Sequence, residues 1–463
     1  MLLTAASAAG CKDDKKQDPI GVPPPQGAAS SHELTTALGQ ARALSSEMAP
    51  TSTQWRRVFV LDDKRAVLIG EVVNETIALL TDNAGRTWRA LRMEREGWST
   101  WSVGADGSTV LALGARAGKP VTDPRATEAT EDPLRLAFAS FEAPGLSATS
   151  PVALPKRAAR ARPLVDVVPA ALSPELAALI LEEAPRRSVL VYGGLPGAEP
   201  VLPLKLPPVE QVLPTPYGRP PVMLSVRGRD LLVRPVPEPG KPLNPPQKVA
   251  GVQVTPAIAA RLSAPPTCEL ESWSFQALPE PKPAVMAVSR DKVVSIPLPA
   301  KIAPKAATGC GAGRIAVEIE DPKPRDPSDP TADSKLRVST LALCNLEGAC
   351  TVPDKPPFRP WLEPHDRWMA AIPTSQGAVA VLTSRSSARW GLYLTQSVDG
   401  GKLYEVARVI GEGVTDRGRI EIGALVSFGE RILVILEADV TGTSRRSWYV
   451  TASDDGGLTW GVP

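Results

Sequence analysis

Catalysis by nucleophile, general base or metal needs side chains that this sequence supplies sparingly. The chain holds two histidines, His32 and His365, and five cysteines. Two imidazoles leave little material for a base or a zinc site, and no cysteine pair has CxxC spacing. No GxSxG elbow, HExxH helix, phosphate loop or GxGxxG after a strand is present. The nearest approach to a phosphate loop is Thr308-Gly309-Cys310-Gly311-Ala312-Gly313. It lacks the Lys-Ser/Thr ending and reads as a turn beside a cystine. No catalytic residue, metal ligand or cofactor is assigned. Paired carboxylates of the glycosidase type are assembled in three dimensions and leave no mark in linear spacing.

Cysteine chemistry is informative in another way. Cys268, Cys310, Cys344 and Cys350 are an even set, which suits two disulfides in an oxidising compartment. Local pairing of Cys344 with Cys350 across a tight hairpin, with Cys268 to Cys310, is the simplest of three connectivities. The fifth, Cys11, follows Ala8-Ala9-Gly10. This N-terminus resembles a bacterial lipobox, although Ala8 stands where Leu is usual and residues 1–11 make a truncated signal peptide without a basic start. The resemblance implies lipidation at Cys11. Residues 12–30 (KDDKKQDPIGVPPPQGAAS) are charged and then Pro/Gly/Ala-rich, the composition of a tether that buries no core. Residues 31–49 are expected to form a short helical lead-in.

Three octads share one pattern: Thr81-Asp82-Asn83-Ala84-Gly85-Arg86-Thr87-Trp88, Ser397-Val398-Asp399-Gly400-Gly401-Lys402-Leu403-Tyr404 and Ser453-Asp454-Asp455-Gly456-Gly457-Leu458-Thr459-Trp460. Each follows a short apolar run. An Asp or Asn at the third place can accept backbone N–H groups just downstream and fold the chain into a turn. Gly at the fifth permits the positive φ such a turn requires. The aromatic at the eighth begins the next strand and packs between sheets. Every residue type here has a folding task, which leaves none for catalysis.

These octads resemble the Asp box, or bacterial neuraminidase repeat, which lies between the third and fourth strands of propeller blades in sialidases and related proteins. The resemblance implies an all-β propeller of four-stranded antiparallel blades over residues 50–463. For a sialidase it would also imply three arginines for a substrate carboxylate, a Tyr–Glu nucleophile pair, an Asp acid/base and an Arg-Ile/Leu-Pro motif in the first blade. Gln54-Trp55-Arg56-Arg57-Val58-Phe59 occupies that region without a Pro. Arg359-Pro360 comes far too late to serve. Tyr393 and Tyr404 belong to the blade ending at 404, which leaves Tyr192, Tyr217 and Tyr449 as conceivable nucleophiles.

Composition agrees with a sheet repeat. Fifty prolines would break long helices almost everywhere, and ten Trp against six Phe and five Tyr suggest a specific structural use for indole. Short β-branched runs recur from 56–61 to 448–451, and 173–185 is the only internal stretch with helical character, a loop insertion or a strand pair. The interval of 372 residues between the first and last octads divides into six of 62 or seven of about 53, giving seven blades or eight; seven is the preferred count, with six and eight as the alternatives. So little chain follows the last octad that a segment near 50–61 is expected to close the ring. Trp98, Trp101, Trp273, Trp361 and Trp368 are either blade packing or a ligand surface.

Fifty-two basic and fifty acidic residues, spread along the chain, argue against nucleic acid. The reading is therefore an envelope propeller held to the membrane only by its lipid. It would act as a non-catalytic module that binds an unknown protein or glycan on one face, without cofactor. A divergent sialidase-like hydrolase and an assembly factor for a protein complex are the alternatives.

Overall fold

The computed structural model describes residues 33–463 apart from short interruptions and the longer stretches 95–109, 117–134, 142–149, 152–161, 164–169, 195–203, 213–221, 321–338 and 354–366. Cys11, the tether, His32, Trp98, Trp101, Tyr217, Trp361 and His365 lie outside the described residues, as does the side chain of Trp368.

Among the described residues the strands fall into eight successive antiparallel meanders. The first runs Gln54–Val60, Ala66–Val72, Glu75–Thr81 and Arg89–Glu94. The second and third are the least regular, from Val110–Arg116 to Leu204–Lys205. The fourth runs from Gln211–Val212 to Gln247–Gln253 and the fifth from Cys268–Leu270 to Val293–Pro297. The sixth runs from Pro304–Gly311 to Cys350–Thr351 and the seventh from Arg367–Pro373 to Arg408–Val414. The eighth comprises Ile420–Phe428, Arg431–Asp439 and Arg446–Ser453.

The central strands are apolar on both faces because another sheet lies on either side of them. Ala378, Val379, Ala380 and Val381 are all fully buried, as are Ile432 to Leu436. Ala alternating with Val or Leu lets the sheets approach closely while the branched neighbours fill the gap. The first strands of the first, eighth, seventh, sixth and fifth meanders pack side by side in that order. The fifth then returns to the first, where Cys268–Leu270 pairs in parallel with Gln54–Val60 through Glu269 opposite Phe59 and Leu270 opposite Val60. Blade-like meanders whose first strands share one axis make this an all-β propeller architecture.

Two expectations at the N-terminus are corrected. The lead-in is not a helix: Glu33–Thr36 and Gly39–Ala43 are strands that pair with each other. Gly39–Ala43 also joins the exposed edge of Arg446–Ser453, with Arg42 opposite Val450 and Ala43 opposite Tyr449. The outer strand of the last meander therefore comes from residues 39–43, while Gln54–Val60 is the innermost strand of the first. An open sheet edge recruits the nearest chain, and that demand overrides the local helix preference of 31–48.

The stretch 173–185 resolves to a strand pair, Ala170–Ser173 with Leu176–Ala184. The one helix among the described residues, Pro256–Ser263, was not anticipated. Its start is signalled by Thr255, whose hydroxyl accepts the Ile258 amide at 3.3 Å, and by Pro256 in the first turn. Ile258 and Leu262, one turn apart, are both fully buried.

Cys344 and Cys350 are register partners on adjacent strands and form a disulfide. Cys310 is also disulfide-bonded; its partner lies outside the described side chains.

Candidate functional site

The three octads form one and the same turn. At the last, Ser453 Oγ donates to Asp455 Oδ1 at 2.7 Å and accepts the Gly457 amide at 2.7 Å, while Asp455 Oδ1 accepts the Thr459 amide at 2.8 Å. The Thr459 hydroxyl donates to Asp455 Oδ2 at 2.6 Å. Ser397 and Asp399 repeat this toward Gly401 and Leu403, and Thr81 and Asn83 toward Gly85 and Thr87. Gly85, Gly401 and Gly457 have φ of 77°, 90° and 101°.

Each of these glycines also rests on the preceding sheet. A Cβ on Gly85 would stand 2.0 Å from Leu433, on Gly401 2.6 Å from Leu343, and on Gly457 2.5 Å from Val379. Trp88, Tyr404 and Trp460 then wedge between their own sheet and that same neighbour. The octads are thus fasteners between consecutive sheets. The first meander is fastened to the eighth: Arg431 Nε donates to the Ala84 carbonyl at 2.8 Å, and its guanidinium pairs with Asp454.

Because every octad sits at the end of a third strand, all three lie on one face of the array. In an antiparallel meander the start of the first strand, the end of the second and the start of the third meet at the opposite face. A cavity of about 290 Å³ opens there, lined by Thr53, Gln54, Trp55, Glu421, Ile422, Gly423, Glu437, Arg446 and Trp448. It lies at the seam between the first and eighth meanders.

Two backbone irregularities build it. The register of Gln54–Val60 slips between Trp55 and Arg57, and that of Ile420–Phe428 between Ile422 and Ala424. Such bulges re-aim side chains at sheet ends. Gly423 occupies the second slip, and a Cβ there would meet Trp55 at 2.3 Å and Trp448 at 2.4 Å. The two indoles converge on it edge to face, centroids 5.7 Å apart and planes at 76°. Trp448 Nε1 donates to the Pro50 carbonyl at 3.0 Å, whereas Trp55 Nε1 is buried with no acceptor.

The charged groups form a row across the eighth sheet. Glu421 stands directly opposite Glu437, and Glu437 opposite Trp448. Directly opposed side chains have Cβ atoms about 4.5–5.5 Å apart, where like charges repel. Arg446 answers this by donating Nη1 to Glu437 Oε2 at 3.2 Å, and Glu437 is only 3% exposed. Among the described residues the lining therefore mixes two carboxylates, one guanidinium, an amide and a hydroxyl with two aromatic rings.

None of these lining residues was singled out from the sequence. The available signal was weak: a Gly inside an otherwise β-branched strand marks a bulge or a close approach, as Gly423 does. Of the Trp residues that were singled out, Trp273 is half-buried and packs on the core between the fifth and sixth meanders. The conceivable nucleophiles fare no better. Tyr192 is buried, donates its hydroxyl to the Pro237 carbonyl at 2.9 Å, and burial pushes its pKa up to about 12. Tyr449 is buried in the core and its pKa is raised by desolvation. Among the described residues no group of three or more His, Cys, Asp or Glu is placed to hold a metal ion, and no helix is long and apolar enough to cross a membrane.

No protein-family model matches the chain, and no curated protein is similar to it in sequence. Solved structures with a similar trace include the β-propeller domain of the trilobed protease from Pyrococcus furiosus, at 9% identity and TM-score 0.34, covering 86% of this chain and 92% of that one. A prolyl endopeptidase is 13% identical at TM-score 0.40, covering 84% of this chain and 55% of that one. An ulvan polysaccharide lyase is 10% identical at TM-score 0.34, with 91% and 96% covered.

Proposed function

We propose that the protein is an Asp-box propeller that acts as a non-catalytic binding module of the bacterial envelope. It would be anchored by a lipid on Cys11 through the tether 12–30. The cavity at the seam carries this reading. It is the place where two indoles, two carboxylates and a guanidinium converge on the face that the octad turns leave free. Loops and strand ends on a rigid ring are where recognition side chains are best held. The burial of Tyr192 and Tyr449 in the core argues against a tyrosine nucleophile at either position.

The test uses the full-length protein expressed in a bacterial host. Radiolabelled palmitate should be incorporated and lost on Cys11→Ala, and a fluorogenic glycoside panel should show no turnover. One observation favours the hydrolase alternative: Glu421 and Glu437 face each other in the cavity, the kind of pair glycosidases use. Glycoside turnover abolished by Glu437→Gln would replace the binding reading with that one.

A further inference from the structure

Resting on the reading of Cys11 as a lipid anchor, we propose that the octad face of the seventh and eighth meanders is a second membrane contact. It lays the propeller on a phospholipid surface through Val398, Leu403 and Leu458.

Among the described residues these are the only large hydrophobic side chains that are exposed, at 48%, 57% and 46%. All three stand on octad turns of neighbouring meanders. The two turns adjoin: a Cβ on Gly457, beside Leu458, would stand 3.3 Å from Oε1 of Gln396, two places before Val398. Nothing in the turn itself asks for aliphatic residues there. The first octad makes the same bonds with Asp82, Arg86 and Thr87 at its second, sixth and seventh places, all exposed to water. Val398, Leu458 and Leu403 fill those places in the later two. Single surface aliphatics need no explanation, but three gathered on adjoining turns mark a contact.

The N-terminal chain names the occupant. Glu33 lies opposite Arg42, and Arg42 lies opposite Val450. The chain toward Cys11 therefore departs from the eighth meander, about 10 Å short of the octad that begins at Ser453. The 22 steps from Glu33 back to Cys11 span at most about 80 Å. An acylated Cys11 thus confines these turns beside the bilayer at an effective concentration on the order of millimolar, where a small apolar patch suffices. Stable attachment through an acyl chain commonly takes such a second contact.

Charge specifies the surface. Asp399, Asp454, Asp455 and Glu430 lie around the patch, against Lys402 and Arg431. Each carboxylate already holds a donor: Asp399 the Ser397 hydroxyl, Asp455 those of Ser453 and Thr459, Asp454 the Arg431 guanidinium and Glu430 the Ser375 hydroxyl. The excess negative charge favours zwitterionic phosphatidylethanolamine over phosphatidylglycerol. The seam cavity, on the opposite face, then looks away from the membrane.

The experiment reconstitutes the full lipidated chain into phosphatidylethanolamine–phosphatidylcholine vesicles that carry a nitroxide on the acyl chain. Bimane is attached at Leu403→Cys, Leu458→Cys or Thr51→Cys; Thr51 is exposed beside the start of Gln54–Val60, at the cavity face. Flotation reports the anchor separately. The nitroxide should quench the labels at Leu403 and Leu458 at least threefold more than the label at Thr51. Val398→Ser with Leu458→Ser should roughly halve quenching at Leu403, with near-UV circular dichroism unchanged. Phosphatidylglycerol in place of phosphatidylethanolamine should weaken it, and high salt should restore it.

Floated protein whose labels at Leu403 and Leu458 are quenched no more than that at Thr51 overturns the proposal and leaves the anchor standing. Protein that does not float removes the anchor and this orientation together. Labels shielded without vesicles, increasingly so as protein concentration rises, make a second copy the occupant and overturn the lipid assignment.

Discussion

Replacing Gly457 by Ala tests the fastening role of the octads more sharply than removing any of their acidic residues. Two costs add at this position. The backbone φ of 101° lies where L-residues are strained, about 1–2 kcal/mol in the left-handed region. The new methyl would also stand 2.5 Å from Cγ2 of Val379, a fully buried residue of the preceding sheet that has no room to yield. Overpacking of that kind costs about 1–3 kcal/mol. Ala recovers about 0.4–1 kcal/mol by restricting the unfolded chain. The net loss is then about 2–4 kcal/mol.

Gly400, one octad earlier, supplies the control. Its φ is 77°, but a Cβ there meets nothing within 4 Å. Gly400→Ala should therefore cost only the backbone term, about 1 kcal/mol. Equilibrium urea unfolding followed by Trp fluorescence gives both values. If Gly457→Ala is no more destabilising than Gly400→Ala, sheet-to-sheet contact at the fifth place is not what fixes Gly there.

Other outcomes follow from the same structure. Asp455 is subject first to partial desolvation, which raises its pKa. Hydrogen bonds from the Thr459 side chain and amide, and from Ser453, outweigh this and hold it down at about 2, and Asp399 is lowered first by the Leu403 amide and then by Ser397 and the Lys402 amide, against a smaller desolvation. A folded pKa below the usual carboxylate value gives stability that is present above about pH 4 and lost as pH falls toward 2. The melting temperature should drop over that window, and less steeply in Asp455→Asn. Reduction of Cys344–Cys350, or its replacement by two Ala, should cost roughly 2 kcal/mol, since the bridge spans only six positions; urea midpoints with and without reductant measure it. Deleting residues 1–30 should leave the melting temperature unchanged. Deleting through residue 44 should lower it and produce dimers or aggregates by light scattering, because the edge of Arg446–Ser453 is then bare.

The octads were legible because their chemistry is local. Ser or Thr, Asp or Asn, Gly and an aromatic act on one another within eight residues, so spacing alone carries the turn. The strands of the later meanders were legible for the same reason, as apolar runs between turn residues. The seam was not. Gly39–Ala43 reads as part of a helix because what makes it a strand lies some four hundred residues away, in the edge it completes. Trp55, Glu421, Glu437, Arg446 and Trp448 come from four strands of two meanders, and only packing brings them to one cavity. Gly423 alone carried a local hint. Without the two indoles that converge on it, nothing distinguishes it from any other weak point in a strand.

The pairing of Arg42 with Val450 and Ala43 with Tyr449 has a consequence in time. A ribosome adding about 5–20 residues per second emits Ala43 roughly 20–80 s before Tyr449. Through that interval Gly39–Ala43 has only its hairpin partner Glu33–Thr36 and no Arg446–Ser453 edge to join, and the seven meanders made meanwhile have no eighth to lock against. The last step of maturation is then the capture of the oldest segment by the newest. Long-range β pairing of this sort is slow. Any chaperone that serves this protein must therefore shield an early, waiting strand as well as the late core.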